Sequence, residues 1–226
     1  MTPILIAAMS LLTNTVDLAK LIAQSEGEVL TFTFENRHET ESFAILDESG
    51  AVRPDELARF SHFVRCWRTE REKPMHPRLL EIVARTAEHF GVSDLDVVSG
   101  FRAPPFGAPN SKHFHGRAMD IQVPGVPAKK VAAWVWQNFR HVGVGYYPNQ
   151  QFVHVDVRDE DVRWIDGSRH GESNHARYFG RPADETQPPA TAPHLAWDEE
   201  QETLKLAGVT RLAGLGELPA GRHHHL

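Results

Sequence analysis

Residues 111–123 read SKHFHGRAMDIQV. Two histidines, a glycine and an aspartate stand in a short polar run that then turns apolar. The second half alternates: Ala118, Asp120 and Gln122 fall on one face of a strand, and Met119, Ile121 and Val123 on the other. The stretch is expected to begin in a loop and end in a strand, with Asp120 on the face away from the apolar one. Zinc in hydrolases is held by three side chains drawn from His, Asp, Glu and Cys, with a fourth position open to water, so His113 and Asp120 are candidate ligands. His115 lies in the same loop and competes with His113. Gly116 suits a turn or a close backbone approach.

A third ligand has to come from a neighbouring strand. The run FVHVDV, 152–157, offers His154 on the face opposite Val153, Val155 and Val157 and shared with Asp156. A histidine on a half-buried strand is usually a satisfied polar residue, so His154 by itself decides nothing. The sequence VGVGYYPNQQFVHVDVR, 142–158, gives two strands joined at PNQ.

Further out, VLTFTF (29–34) alternates apolar residues with Thr, and SFAIL (42–46) follows the polar run ENRHETE, the pattern of a hairpin. In RPDELARFSHFVRCW (53–67), Pro54 stands near a first helical turn with Asp55 and Glu56 beside it. Leu57, Phe60, Val64 and Trp67 then recur at spacings of three and four. A second helix starts at Pro77, carries Leu80, Val83, Ala87 and Phe90 on one side, stops at Gly91, and is expected to pack on the first. LDVVSGFR (95–102) reads as a strand entering a glycine turn, PPFGAPN (104–110) as loop, and a third helix starts at Pro127. Trp134 and Trp136 lie two apart on that helix, cannot both face one core side, and are given no chemistry. Together these elements predict an α+β domain with helices packed on a small antiparallel sheet.

Composition narrows the function. A chain of 226 residues, 41% hydrophobic, can bury one good core. Its formal net charge is −6 and its Lys and Arg are scattered, so there is no basic stripe for a nucleic-acid backbone and nucleic acid is not an expected partner. The single cysteine, Cys66, excludes a disulfide framework and a Cys-based zinc cluster, and reads as a small core residue. The opening MTPILIAAMSLL is too short to span a bilayer core of about 30 Å. It reads equally as an amphipathic helix or as a degenerate export signal that lacks a basic start and a clear cleavage site. After Gly180, RPADETQPPATAPH has linker composition and leads into a charged-then-apolar segment. Three regions follow: an N-terminal segment, 1–28, a domain at 29–180, and a linker with C-terminal extension at 181–226.

With these residues in place, the sequence resembles the D-alanyl-D-alanine metallopeptidase superfamily, which includes a vancomycin-resistance dipeptidase, murein endopeptidases and the hedgehog signalling domain. SKHFHGRAMD fits its pattern Ser-x-His-x-x-Gly-x-Ala-x-Asp at Ser111, His113, Gly116, Ala118 and Asp120. VVSGFRAP upstream and GVGYYPNQQFVHVDV downstream extend the resemblance. LTFTFENRHETES resembles the early hairpin of the YcbK-like murein endopeptidase branch, and the coverage runs from about residue 29 to 165.

The resemblance implies that His113, Asp120 and His154 ligate zinc, an N, O and N set that suits that ion. It selects His113 over His115 by the spacing to Asp120, and leaves His115 as a cleft or surface residue. It places Arg102 where a fixed guanidinium steadies a substrate carbonyl or carboxylate, against the alternative of a structural salt bridge. Ser99 and Ser111 are expected to hydrogen-bond loop backbone or a ligand.

Relatives carry the proton acceptor just before the third ligand, where this chain has Gln151 and Phe152, neither of which takes a proton. Asp156 is the nearest carboxylate, either as proton acceptor or as the group that orients an imidazole, with Asp159 and Glu160 as alternatives. Tyr146, Tyr147 and Trp164 are candidate cleft residues.

The implied function is a zinc-dependent peptidase acting on peptidoglycan stem peptides, as a cross-link endopeptidase in the periplasm or cell exterior. The alternatives are a D-Ala-D-Ala carboxypeptidase or dipeptidase, and a zinc-containing binding module without activity.

Overall fold

The alternation at 118–122 and 152–157 becomes the two central strands of one sheet. The computed structural model describes residues 28–169, 171–173 and 175–180. The expectations for the opening apolar run and for the extension after Gly180 fall outside the described residues.

Eight strands, β1 (Leu30–Phe34), β2 (Glu39–Phe43), β3 (Asp94–Ser99), β4 (Ala118–Gln122), β5 (Val142–Tyr147), β6 (Phe152–Val157), β7 (Val162–Asp166) and β8 (Ala176–Gly180), form one sheet. Its order is β2-β1-β3-β4-β6-β5-β7-β8. Three helices, α1 (Pro54–Phe63), α2 (Pro77–Phe90) and α3 (Ala128–Asn138), accompany it. The α+β class is the one expected, and the sheet proves larger and mixed. β1 pairs with β3 and β5 with β7 in parallel, because β2, α1 and α2 intervene in the first case and β6 in the second.

Phe32, Phe43 and Phe60 pack at centroid separations of 4.9 to 5.9 Å, all edge to face, and Phe63 and Phe34 extend the cluster. The register Leu30↔Phe43 brings this about. The second strand of the hairpin therefore starts earlier than the apolar run SFAIL suggested. The turn needs only residues 35–38, with His38 at φ 55, and the polar ETES then forms a charged edge strand.

α1 also ends sooner than its apolar spacing predicted. At Val64 the chain leaves the helix, because the Val64 carbonyl is taken by Phe101 N at 2.9 Å and a turn closes on Cys66. Trp67 consequently stands at the surface and not on the Leu57–Phe60 face. α2 keeps its expected ends, with Gly91 left-handed at φ 63 and His76 capping Arg78 N through Nδ1 at 3.2 Å. It packs on α3 and on β6. On α3, Trp136 is buried whereas Trp134 stacks on His89 at 4.4 Å. Among the described residues no helix is long and apolar enough to cross a membrane.

The helices cover the sheet face that carries Met119, Ile121, Val153 and Val155, all buried in one core. The face bearing Asp120 and His154 is left to line a cleft.

Phe60, fully buried at the centre of the aromatic cluster, gives the first prediction. Phe60→Ala should lower unfolding free energy in urea by about 3–5 kcal/mol. The same change at the half-exposed Phe179 should cost roughly 0.5 kcal/mol or less. Equal losses would contradict this account of the core.

Candidate metal centre

Strand register places one residue from each of five strands in a row across the sheet. Ser99 pairs with Asp120, past an irregularity after Val97, then Asp120 with His154, His154 with Gly145, and Gly145 with Trp164. The next row holds Ala118, Asp156 and Gly143. The two glycines of VGVGYY are there for space. A Cβ on Gly145 would lie 2.5 Å from the Trp164 ring, and one on Gly143 would lie 2.3 Å from Asp156 Oδ2.

His113 arrives from outside the sheet on a single 3₁₀ turn, Lys112–His115, that ends at Gly116 with φ 64. Here only glycine serves, since a Cβ would sit 2.3 Å from the Pro74 carbonyl oxygen. The Gly116 carbonyl is itself bound by His76 N at 2.8 Å, which ties the loop to the start of α2.

His113, Asp120 and His154 meet, each more than nine-tenths buried, with one potential ligand atom from each inside a 4.8 Å group. Nε2 of His113 lies 3.2 Å from Nδ1 of His154, which is 2.8 Å from Asp120 Oδ1. The outward nitrogens are already committed. His113 Nδ1–H donates to the Gly100 carbonyl at 2.7 Å, and His154 Nε2–H donates to Asp156 Oδ2 at 2.9 Å. Those bonds fix the tautomers, so the two inward nitrogens turn lone pairs toward each other beside a carboxylate. A proton on His154 Nδ1, shared with Asp120, or a metal ion in its place reconciles that arrangement, and the donor set of two imidazole nitrogens and a carboxylate oxygen fits zinc.

The electrostatics agree. Burial would depress His154, yet its bonds to Asp120 and Asp156 lift its pKa to about 9. Burial lowers that of His113, with Asp120 only partly opposing it. Burial alone would raise Asp120. The neighbouring His113 and His154 imidazoles and the Arg102 guanidinium hold it well below the usual carboxylate range.

Arg102 Nε donates to Ser99 Oγ at 2.8 Å, and its Nη2 bonds Asp120 Oδ2. Arg102 thus forms an ion pair with Asp120, and it also lines the cleft. Asp156 is fully buried and engaged on both oxygens. Arg158 Nε donates to Oδ1 at 2.6 Å, and Oδ2 takes Arg158 Nη2 together with His154 Nε2. Burial opposes its ionisation, but these bonds hold its pKa near 2. A carboxylate so held orients well and accepts a proton poorly.

Other expected residues separate. Tyr147, on β5, receives a hydrogen bond from Trp164 Nε1 at 3.1 Å, and both line the cleft, whereas Tyr146 does not. His115, Asp159 and Glu160 are exposed and lie outside the cleft lining. Of the two readings left for His115, cleft or surface residue, the structure shows the surface one: the 3₁₀ turn leaves His115 exposed and His113 buried.

Sequence reasoning missed Arg158, Gly143 and Gly145. The first was within reach of the period-two count that had already linked His154 to Asp156. It also missed the loop after β7, pinned where Asp166 Oδ1 accepts from Ser168 N at 2.9 Å and His175 N at 3.2 Å. That loop brings Arg169 and Glu172 to the cleft.

The raised pKa of His154 sets a test. In chelated protein the imidazole keeps its second proton until about pH 9, so zinc binding at pH 7 must expel it. Calorimetry in two buffers of different ionisation enthalpy should show release of about one proton, with affinity increasing as pH rises toward 9. The proton's own stabilisation of chelated protein is fully present below the unfolded histidine value of about 6.5 and is lost through about 9. Zinc binding without proton release would contradict the arrangement.

Residues 24–164 match the model of the family Peptidase_M15_2, described as peptidoglycan L,D-endopeptidase MepK. The probable peptidoglycan L,D-endopeptidase MepK of Haemophilus influenzae is 29% identical over 161 residues, covering 66% of this chain and 84% of that protein. The peptidoglycan L,D-endopeptidase MepK of Escherichia coli K12 is 30% identical over 138 residues, 55% of this chain and 75% of the relative. The matched span contains β1 to β6 and all three residues of the buried His-Asp-His group, and on that evidence the chain belongs to the Peptidase_M15_2 family of peptidoglycan metallopeptidases.

Proposed function

We propose that this protein is a zinc-dependent peptidase that hydrolyses amide bonds in peptidoglycan stem peptides and cuts cross-links as an L,D-endopeptidase. The observation that carries the reading is the inward convergence of His113 Nε2, Asp120 and His154 Nδ1 on the wall of a cleft, in a chain of this family. The cleft, about 990 Å³, runs past Trp67 and Phe106 on one side and Trp164 and Tyr178 on another. Because peptidoglycan lies outside the cytoplasm, the site of action is the periplasm or cell exterior.

A zinc ion held by the three ligands supplies Lewis acidity and water activation near neutral pH. The chain's own groups do the rest. Arg102, braced by Ser99 and Asp120, sets a fixed positive charge where an amide oxygen gains negative charge during attack. Asp156 occupies Nε2 of His154, so that Nδ1 stays turned inward. The Tyr147 hydroxyl accepts from the Trp164 indole, a donor only, and keeps its own proton for an acceptor in the cleft. Asp120, Asp156 and Glu172 are the carboxylates lining the cleft among the described residues. With Asp120 as ligand and Asp156 as orienting group, Glu172, whose Oε2 accepts from Arg169 N at 2.8 Å, is the remaining carboxylate of the cleft and the candidate general base.

Incubation of zinc-loaded protein with purified cross-linked sacculi, followed by mass spectrometry of the muropeptides, should show cross-linked dimers falling and monomers rising, with no change in a chelated sample. Stable zinc binding without any product would move the chain to the non-catalytic module. His113→Ala and Asp120→Ala should each lose zinc and activity together. Asp156→Asn should weaken zinc binding about 10- to 100-fold, since it removes the partner that fixes His154. Unchanged zinc affinity with turnover down about 10²-fold would instead make Asp156 the proton acceptor.

A further inference from the structure

The cleft wall formed by the turn after α1 is built around an arginine that the metal centre does not use. Cys66 organises this turn. Its N–H donates to Arg71 O at 2.9 Å, and its carbonyl accepts from Thr69 N and Glu70 N at 3.1 and 2.8 Å. Glu70, at φ 58, is clamped by Arg37 at 2.6 Å and Arg65 at 3.0 Å. The turn is also joined to the segment that sets the tautomer of His113. Phe101 N bonds Val64 O, and a Cβ on Gly100 would fall 2.5 Å from that same carbonyl. Trp67 and Arg68 therefore project from a rigid base.

The Arg68 guanidinium lies 3.9 Å from the Trp67 ring centroid and 5.2 Å from that of Phe106, and all three residues line the cleft. Trp67 and Phe106 are 36% and 38% exposed, large apolar surface that the fold leaves uncovered. Arg37, Arg65, Arg102 and Arg158 are each bound to a carboxylate. Among the described residues Arg68 makes no ion pair, and neither do Lys112 and Arg169, which line the same cleft. Rings against a guanidinium restrain its plane and leave its N–H edge free, the edge that binds a carboxylate with two parallel hydrogen bonds.

We propose that Arg68, held by Trp67 and Phe106, is a subsite that binds a free carboxylate of the peptide substrate. The placement of the carboxylate on a peptide rests on the peptidase reading. Binding at Arg68 is measurable without turnover, so the two can fail separately.

The probe is a stem-peptide analogue with its scissile amide replaced by a reduced isostere, prepared with its free carboxylates intact and with them amidated. Both are titrated calorimetrically into the zinc-loaded full chain. The native protein should bind the carboxylate form about 10-fold more tightly, and Arg68→Gln should bind the two forms equally. Arg68→Lys, which keeps the charge and loses the fork, should recover only part of the preference. On cleavable peptide, Arg68→Gln should raise KM about 10-fold and leave kcat within about twofold. Equal preference in native protein and Arg68→Gln, or no preference in the native protein, overturns the subsite. Absence of cleavage with the preference intact would instead count against the peptidase reading.

Discussion

Two imidazole nitrogens facing each other at 3.2 Å, with a carboxylate oxygen 2.8 Å from one of them, form the constraint on which this structure is organised. Left to themselves these atoms repel or share a proton, and the protein holds them in place from behind. The Gly100 carbonyl grips the far side of His113, and Asp156 grips the far side of His154. Asp156 is in turn held by Arg158, for which Gly143 leaves the room. Each outer bond removes a way for the lone pairs to turn away, so metal affinity here depends on residues that touch no metal.

The apolar side of the sheet makes that arrangement stable. Met119, Ile121, Val153 and Val155 alternate with Asp120, His154 and Asp156 along β4 and β6, so the strands that present the ligands are pinned by a buried face one atom layer away. A slip of one residue between β4 and β6 would put the ligands into the core. Register, fixed by burial, thereby fixes the metal geometry. Other elements supply the remaining walls of the cleft: the Cys66 turn, the loop at 106–110 and the segment after β7. The first of these is tied to the ligands through the Val64 carbonyl, which Phe101 N binds beside Gly100.

The strand carriers of the site were legible because alternation marks a half-buried strand, and Asp120 and His154 are the polar positions of two such runs. Spacing also marked Pro54, Pro77 and Gly91 as helix ends. Three things were illegible. The partner order of eight strands, two pairings of it parallel, depends on crossovers that no local pattern records. The early end of α1 came from a long-range bond, Phe101 N to Val64 O, so the apolar spacing through Trp67 misled. His113 and His115 are told apart in sequence only by the resemblance, through the spacing to Asp120, and the 3₁₀ turn supplies the physical reason. Arg158 was readable but unread, since residues 154, 156 and 158 share a strand face.

The measurement that bears most directly on this account is the crystal structure of zinc-loaded protein with anomalous data at the zinc edge. The account requires one zinc on the cleft wall, bound by Nε2 of His113, Nδ1 of His154 and a carboxylate oxygen of Asp120, with bonds of about 2.0–2.2 Å. Zinc found elsewhere, or His154 rotated to bind through Nε2 with Asp156 released, would contradict it.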